Sequence, residues 1–482
     1  MLFNSYIFLF LFLPVCLLAY FGCNRKGWYR AGLVVLGGMS LIFYAYDHVQ
    51  YLPVIVISIL GNWLLAQIIL KQKTDKMAKG ILISGILLNI LPLFYFKYLN
   101  FTVYNINKVF GTDIFVDQIL LPLGISFYTF QQISYLVDTY RGETKEYHFI
   151  EYVAFVSFFP QLVAGPIVLH HEMISQFRQG EKKHFDYDDF AQGLYILATG
   201  LFKKVILADT FGNAVSWGFT HIDDLSSLEI ILVMLFYTFQ IYFDFSGYSD
   251  MAIGIAKLFR IDIPRNFNSP YKATSIIEFW NRWHMTLTRF LREYIYFPLG
   301  GSRKGKVRTY INIMIVFVVS GIWHGASWTF ILWGLIHGIA NVLNRIFKKS
   351  WEKLHIAFQW MLTFVFINAT WLIFRAESIG QVFDLFKRMI RLDTFTIHPQ
   401  LAEIFQLKEF NYLKGSGIIV NKVADFWMWF FLVACLFICM NMTDVAEKKF
   451  KPTVGKVIGT ALMFFWAIIS LSGISTFLYF NF

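Results

Sequence analysis

Two histidines set the chemical question. His324 stands in GIWHGASW (321–328), directly after the charge-free run INIMIVFVVS, and His284 stands 40 positions earlier in FWNRWHMTLTRFLREYIYFPLGG (279–301). Ionisable side chains at membrane depth are costly and are functional candidates by default. A neutral imidazole, with an ordinary pKa of about 6.5, can take a proton from a hydroxyl. A lone membrane histidine equally suits a hydrogen-bonded structural role. The small residues Gly321, Gly325, Ala326 and Ser327 permit close helix approach or a substrate channel, which Trp323 and Trp328 would wall.

Other polar residues divide between chemistry and architecture. On a helix over 279–301, Arg282, Arg289 and Glu293 fall near one face, and Arg289 and Glu293 form an i, i+4 pair. The same arginines, with Arg292, suit an interfacial helix whose side chains reach to water. His337, in WGLIHG, faces Trp333 and Gly334 and reads as structural. Asp244 and Asp250 flank the Ser/Gly segment of FDFSGYSD, as cation ligands or partners of the arginines, with pairing favoured. His170 and His171 follow AGPIVL at a membrane boundary and are expected to be exposed. Cys435 and Cys439 read as small buried hydrophobes, and no metal-ligand spacing, HExxH, Walker loop or GxSxG is present.

The elements that must position these groups are membrane spans. The chain has 482 residues, 57% hydrophobic and only 15% charged, where a soluble protein would have roughly 25% charged. Mean hydropathy is +0.54. Runs of about 20 apolar residues recur, which predicts an all-α polytopic membrane protein. The net charge of +11 follows from Lys and Arg gathered in short loops, the pattern that sets orientation. No soluble domain offers a basic face, so nucleic acid is excluded. Spans at about 2–22, 31–46, 51–70 and 80–97 alternate with basic loops such as CNRKGWYR and KQKTDKMAK, which places the N-terminus outside.

The middle is broken by Pro, Gly and polar residues near 119–138, 150–169, 189–208 and 227–245, the mark of re-entrant or cavity-lining segments. Residues 246–310 read as interfacial helices. The basic GSRKGKVR (301–308) and FKKSWEK place both ends of the 309–323 and 326–346 runs in the cytoplasm, with GIWHGASW at the turn. The first arm, about 15 residues or about 22 Å, falls short of the roughly 30 Å core, so His324 lies within the membrane. Spans near 355–375, 424–442 and 456–478 follow, putting the C-terminus outside and the total at ten or eleven. The chain reads as one integral domain over 1–482, with N-terminal spans (1–97), a motif-bearing core (98–347) and C-terminal spans (348–482).

The two histidine motifs, with PLGISFYTFQQISYLVD, FFPQLVAGPI and YFDFSGYSDMAIGIAKLF in the same order, resemble the membrane-bound O-acyltransferase (MBOAT) family, and within it the bacterial AlgI-type branch. The likeness runs from about residue 90 to 347, and departs from the branch pattern at Asn281, Arg289, Phe290 and Ser327. It implies a ring of helices around a central channel, plus re-entrant and interfacial helices. It implies that His324 is catalytic and His284 its partner.

The resemblance also implies a function. This would be an O-acetyltransferase of the bacterial inner membrane that moves acetyl groups from acetyl-CoA outward for O-acetylation of an exported polysaccharide such as alginate. A periplasmic or surface SGNH-type protein is the expected partner. In this reading His324 is general base, and His284 orients or polarises the thioester carbonyl. Trp323, Gly325, Ser327, Trp328, Arg282 and Arg289 line the substrate path, and Arg303, Lys304, Lys306 and Arg308 guide the donor, although those four equally suit a purely topological role. No metal and no bound cofactor is expected. Peptidoglycan or cellulose O-acetylation, DltB-like D-alanyl transfer and a non-enzymatic export subunit are the alternatives; a transporter would show paired broken helices in two halves, and the sequence has no such repeat.

Overall fold

The computed structural model describes residues 1–144, 146–392, 394–407, 424–441, 451–471 and 477–478, all of them helix or connecting segment. Among the described residues, seven helices are long and apolar enough to cross a membrane: Phe8–Arg25, Val49–Leu70, Asp75–Phe110, Tyr187–Thr220, Ser227–Leu258, Lys306–His324 and Ile356–Arg375. Shorter apolar helices lie at Tyr29–Ala45, Asp425–Asn441 and Val454–Ile469. The chain is therefore a multi-pass membrane protein. Part of the expected outer loop (408–423), of the basic stretch beginning at Glu447 and of the last span (472–476) lies outside the described residues.

Local sequence explains where several helices begin. Pro53 stands in the first turn of Leu52–Leu70, where a missing N–H costs little, whereas Pro14 follows the π-helical stretch Phe8–Phe12 inside the helix Phe8–Arg25. Ser226 caps Ser227–Leu258, its hydroxyl accepting from Glu229 N at 3.1 Å while the Glu229 carboxylate accepts from Ser226 N at 2.8 Å.

The Ser227–Leu258 helix is the centre of the molecule. Its most apolar window is 78% buried, against 28% for Val49–Leu70, so the first is core and the second presents a wide face outward. It passes straight through FDFSGYSD, which corrects the expectation that a membrane segment ends near 245 and interfacial helices begin at 246. Gly247 serves packing instead: a Cβ there would lie 2.9 Å from Gly200 O, so the Tyr187–Phe202 helix can lie backbone against backbone.

Two buried ion pairs fix the same contact. Lys203 Nζ lies 2.7 Å from Asp250 Oδ2, and Lys204 Nζ lies 2.6 Å from Asp244 Oδ1 and 2.8 Å from Asp209 Oδ1. The two aspartates thus pair with lysines, not with the arginines expected. Those lysines sit on a π-helical turn, Lys203–Ala208, which turns both toward one neighbour.

Candidate active site

His324 is the last residue of Lys306–His324. Gly325 is extended (φ −170°), and Ser327 caps the next helix, Trp328–Ile346. The expected hairpin is therefore present. Its arms touch closely: a Cβ on Gly321 would meet Phe330 O at 2.4 Å and Gly334 Cα at 3.2 Å. Gly321 thus serves helix approach, and Gly325 lies under the Phe330 ring. The ring of His324 is 4% exposed in a box of aromatic edges, with centroids 5.0 Å from Trp323, 5.2 Å from Trp333 and 5.2 Å from Phe374.

The first arm has 19 residues, not about 15, and is long enough to cross, which corrects the argument from its length that His324 lies within the membrane. The carbonyls at the end of that helix need donors. Lys97 supplies them: its Nζ donates to Trp323 O (2.6 Å) and His324 O (3.1 Å). A cation there also matches the negative end of the helix dipole. Lys97 comes from a π turn, Phe94–Tyr98, inside the helix Asp75–Phe110. The sequence reading passed over it, although a single lysine in the apolar run LPLFYFKYLNF was the available signal.

His284 lies between two short helices, Ile276–Arg282 and Met285–Leu291, with φ +44°, a left-handed conformation uncommon outside glycine. Asn266 holds it. The Asn266 side-chain oxygen lies 3.1 Å from His284 Nδ1 and accepts from Thr286 Oγ1 (2.7 Å) and Thr286 N (3.3 Å). An oxygen can only accept, so Nδ1 carries the hydrogen and Nε2 is the acceptor of the neutral ring. The ring is fully buried, edge-on to Phe245 at 4.7 Å and to Trp323 at 6.1 Å. The same indole therefore touches both histidines. Asn266, 1% exposed in an interfacial loop, was also missed; nothing in RNFNSP distinguishes it by pattern.

Other candidates fall elsewhere. Trp328 is half exposed and donates to Asn105 Oδ1 at 2.9 Å, away from His324. Arg282 pairs with Glu278 (2.9 Å) and Arg289 with Glu172 (2.6 Å), so Arg289 does not make the expected pair with Glu293. Burial works against the charge on Glu278, but hydrogen bonds from Thr274 and Arg282 hold its carboxyl below the usual range. These arginines brace the interfacial helices. Arg303, Lys304, Lys306 and Arg308 are exposed; Arg303 borders a cavity of about 690 Å³ with Arg141, His171 and Tyr294. His337 is structural as expected, its Nδ1 accepting from Trp280 Nε1 at 3.2 Å and its Nε2 lying 3.1 Å from Thr370 Oγ1. His170, expected at the surface, is 1% exposed and bridges Tyr147 OH (2.9 Å) and Asp138 (3.1 Å); His171 is exposed.

Cavities approach His324 from both ends of the bundle. At the end carrying the basic loop, a cavity of about 220 Å³ has Arg292, Arg345 and Asn341 with apolar walls of Leu287, Ile313 and Phe317, and reaches Ser320, one turn before His324. At the hairpin-turn end, a cavity of about 690 Å³ is lined by Ser327, Phe330 and Phe374 together with Lys204, Asp244 and Arg375. Phe374 touches both this cavity and the His324 ring. His324 itself lines neither of these cavities, which come within one helical turn and one ring contact of it.

The sequence pattern described as MBOAT, membrane-bound O-acyltransferase family, matches residues 41–379, and the chain belongs to that family. A peptidoglycan O-acetyltransferase of Helicobacter pylori is 38% identical, covering 100% of this chain and 98% of its own length. A probable alginate O-acetylase AlgI of Pseudomonas aeruginosa is 38% identical over 88% of this chain and 79% of its own. A teichoic acid D-alanyltransferase of Streptococcus thermophilus is 29% identical over 46% of this chain and 56% of its own. The protein is a membrane acyltransferase.

Proposed function

We propose that the protein carries acetyl groups from cytoplasmic acetyl-CoA across the inner membrane for O-acetylation of an exported glycan, with peptidoglycan as the acceptor polymer. The observation that supports this most is the buried His324 imidazole at a helix end, with one cavity reaching Ser320 a turn away and another reaching Phe374 against its ring. Peptidoglycan is preferred over alginate because the relative named for it aligns over both whole chains, whereas the AlgI relative aligns over 79% of its length.

His324 takes the proton of the attacking hydroxyl. The oxygen bonds to the thioester carbon, the carbon–sulfur bond breaks, and the proton ends on the departing thiolate, giving an ester and a free thiol. A positioned base contributes about 10²–10⁴-fold. His284, with Nε2 as acceptor, suits orienting the hydroxyl rather than polarising the carbonyl, which would need a donor. The basic loop faces the cytoplasm, both termini face outward, and an SGNH-type protein beyond the membrane completes transfer to the glycan. Ester-linked acetate on purified muropeptides, compared between wild-type and deletion strains, tests the acceptor. We expect a loss of more than tenfold. Unchanged muropeptide acetate with loss from an exopolysaccharide would overturn peptidoglycan in favour of an alginate-like polymer.

A further inference from the structure

The helix that carries His324 ends on three successive carbonyls, and one turn of another helix takes all of them. Tyr98 OH donates to Ile322 O at 2.9 Å, and Lys97 Nζ donates to Trp323 O at 2.6 Å and to His324 O at 3.1 Å. We propose that Lys97 and Tyr98 are positioning residues for the transfer: they clamp the end of the Lys306–His324 helix so that the His324 imidazole meets the attacking hydroxyl in one orientation. The proposal rests on the reading of His324 as the general base, and it gives neither side chain a contact with substrate.

The clamp begins with a need of the backbone. The last four carbonyls of a helix have no partner within it. A left-handed glycine after the helix often closes some of them. Gly325 does not do so: its φ of −170° is extended, and the chain leaves the helix at once. Donors must come from elsewhere, and they come from Phe94–Tyr98, five residues of π helix that follow Pro92 within Asp75–Phe110. A π turn carries one more residue than an α turn, so it re-aims the side chains beyond it, and such turns recur at functional sites. A lysine in the apolar run LPLFYFKYLNF is a costly way to satisfy two carbonyls, and that cost argues for more than capping.

The grip extends to the ring itself. Lys97 Nζ lies 5.8 Å from the centre of the Trp323 indole. That indole is 5.0 Å from the His324 ring and 6.1 Å from the His284 ring. Phe130, from Ile125–Tyr140, stacks on it at 5.3 Å. The two histidines thus share a wall that Lys97 holds by its backbone and its ring. His324 is the terminal residue of its helix, where helices fray. Misplacing a reacting group by about 1 Å can cost about 100-fold in rate. A cap that served only stability would lower the amount of folded chain and leave the turnover of each folded chain unchanged.

The test uses inside-out membrane vesicles containing the full chain and its native acceptor, supplied with acetyl-CoA over a range of concentrations. Ester on the glycan is measured, and folded chain is quantified by thermal unfolding in detergent. Lys97→Met keeps the length of the side chain and removes its donors. Its kcat per folded chain should fall about 30-fold while KM for acetyl-CoA stays within about threefold, the signature of an interaction that matters only in the transition state. Lys97→Arg restores donors and should recover to within about fivefold of wild type. Tyr98→Phe keeps the ring, removes one hydroxyl and changes no charge, so a fall of about three- to fivefold in kcat reports the position of the helix end, and it remains readable where Lys97→Met does not fold. Turnover per folded chain within twofold of wild type in the Lys97→Met and Tyr98→Phe chains would overturn the clamp. So would a selective rise in KM, or Lys97→Arg no faster than Lys97→Met. Wild-type turnover in a His324→Ala chain measured alongside would instead overturn the reading of His324 beneath it.

Discussion

At the residue scale, the site is two imidazoles held by groups of very different visibility. His324 and His284 were legible because a histidine in an apolar run stands out against its neighbours. Their supports were not. Lys97 reaches His324 from 227 positions away, and Asn266 reaches His284 from 18 positions away. Neither pairing leaves a periodic trace. Arg282 and Arg289 were over-read for the opposite reason: their partners Glu278 and Glu172 convert conspicuous charge into ordinary bracing. The Asn266 contact carries a prediction. Asn266→Ala frees the His284 ring to change tautomer and orientation, and should lower kcat by about 10–100-fold, the range seen when an orienting partner is removed. KM for acetyl-CoA should stay within about threefold. Initial-rate acetyl transfer in vesicles checks it, and a selective rise in KM would assign Asn266 to donor binding instead.

At the element scale, hydropathy located the spans but not their interiors. The hairpin of Lys306–His324 and Trp328–Ile346 was read correctly because basic loops frame it and small residues mark its turn. The central helix Ser227–Leu258 was cut short because Asp244, Ser246, Gly247 and Asp250 look like a turn in one dimension. In three dimensions Asp244 and Asp250 pair with Lys204 and Lys203, and Gly247 packs against the Gly200 carbonyl, so the backbone has no reason to break. The Lys203–Asp250 pair should therefore behave as a buried unit. Asp250→Ala leaves a lysine charge among apolar neighbours and should cost about 3–5 kcal/mol, whereas the double variant Lys203→Met/Asp250→Leu should recover most of that loss. Thermal unfolding in detergent reads both. Equal destabilisation by the single and double changes would show that the pair does not act as a unit.

At the scale of the whole molecule, the account needs a direction across the membrane. Seven long apolar helices among the described residues, and the family, establish the multi-pass architecture. The proposed orientation rests on charge bias, which would put Arg303 and Lys304 inside and the turn at Gly325–Ser327 toward the outside. A cysteine replacing exposed Ser302 should react with an impermeant maleimide only in inside-out vesicles, and one replacing exposed Glu377 only in intact spheroplasts. The reverse pattern would invert the proposed donor and acceptor sides. The acceptor is the least legible property, because the groups around His324 are aromatic rings and a lysine bound to backbone carbonyls, and none of them names a glycan. The central claim is narrower and direct: His324 performs the transfer. In cells producing a correctly inserted His324→Ala chain at wild-type level, ester-linked acetate on the exported glycan should fall at least 100-fold. Acetylation that continues at the wild-type level in that strain would contradict the account.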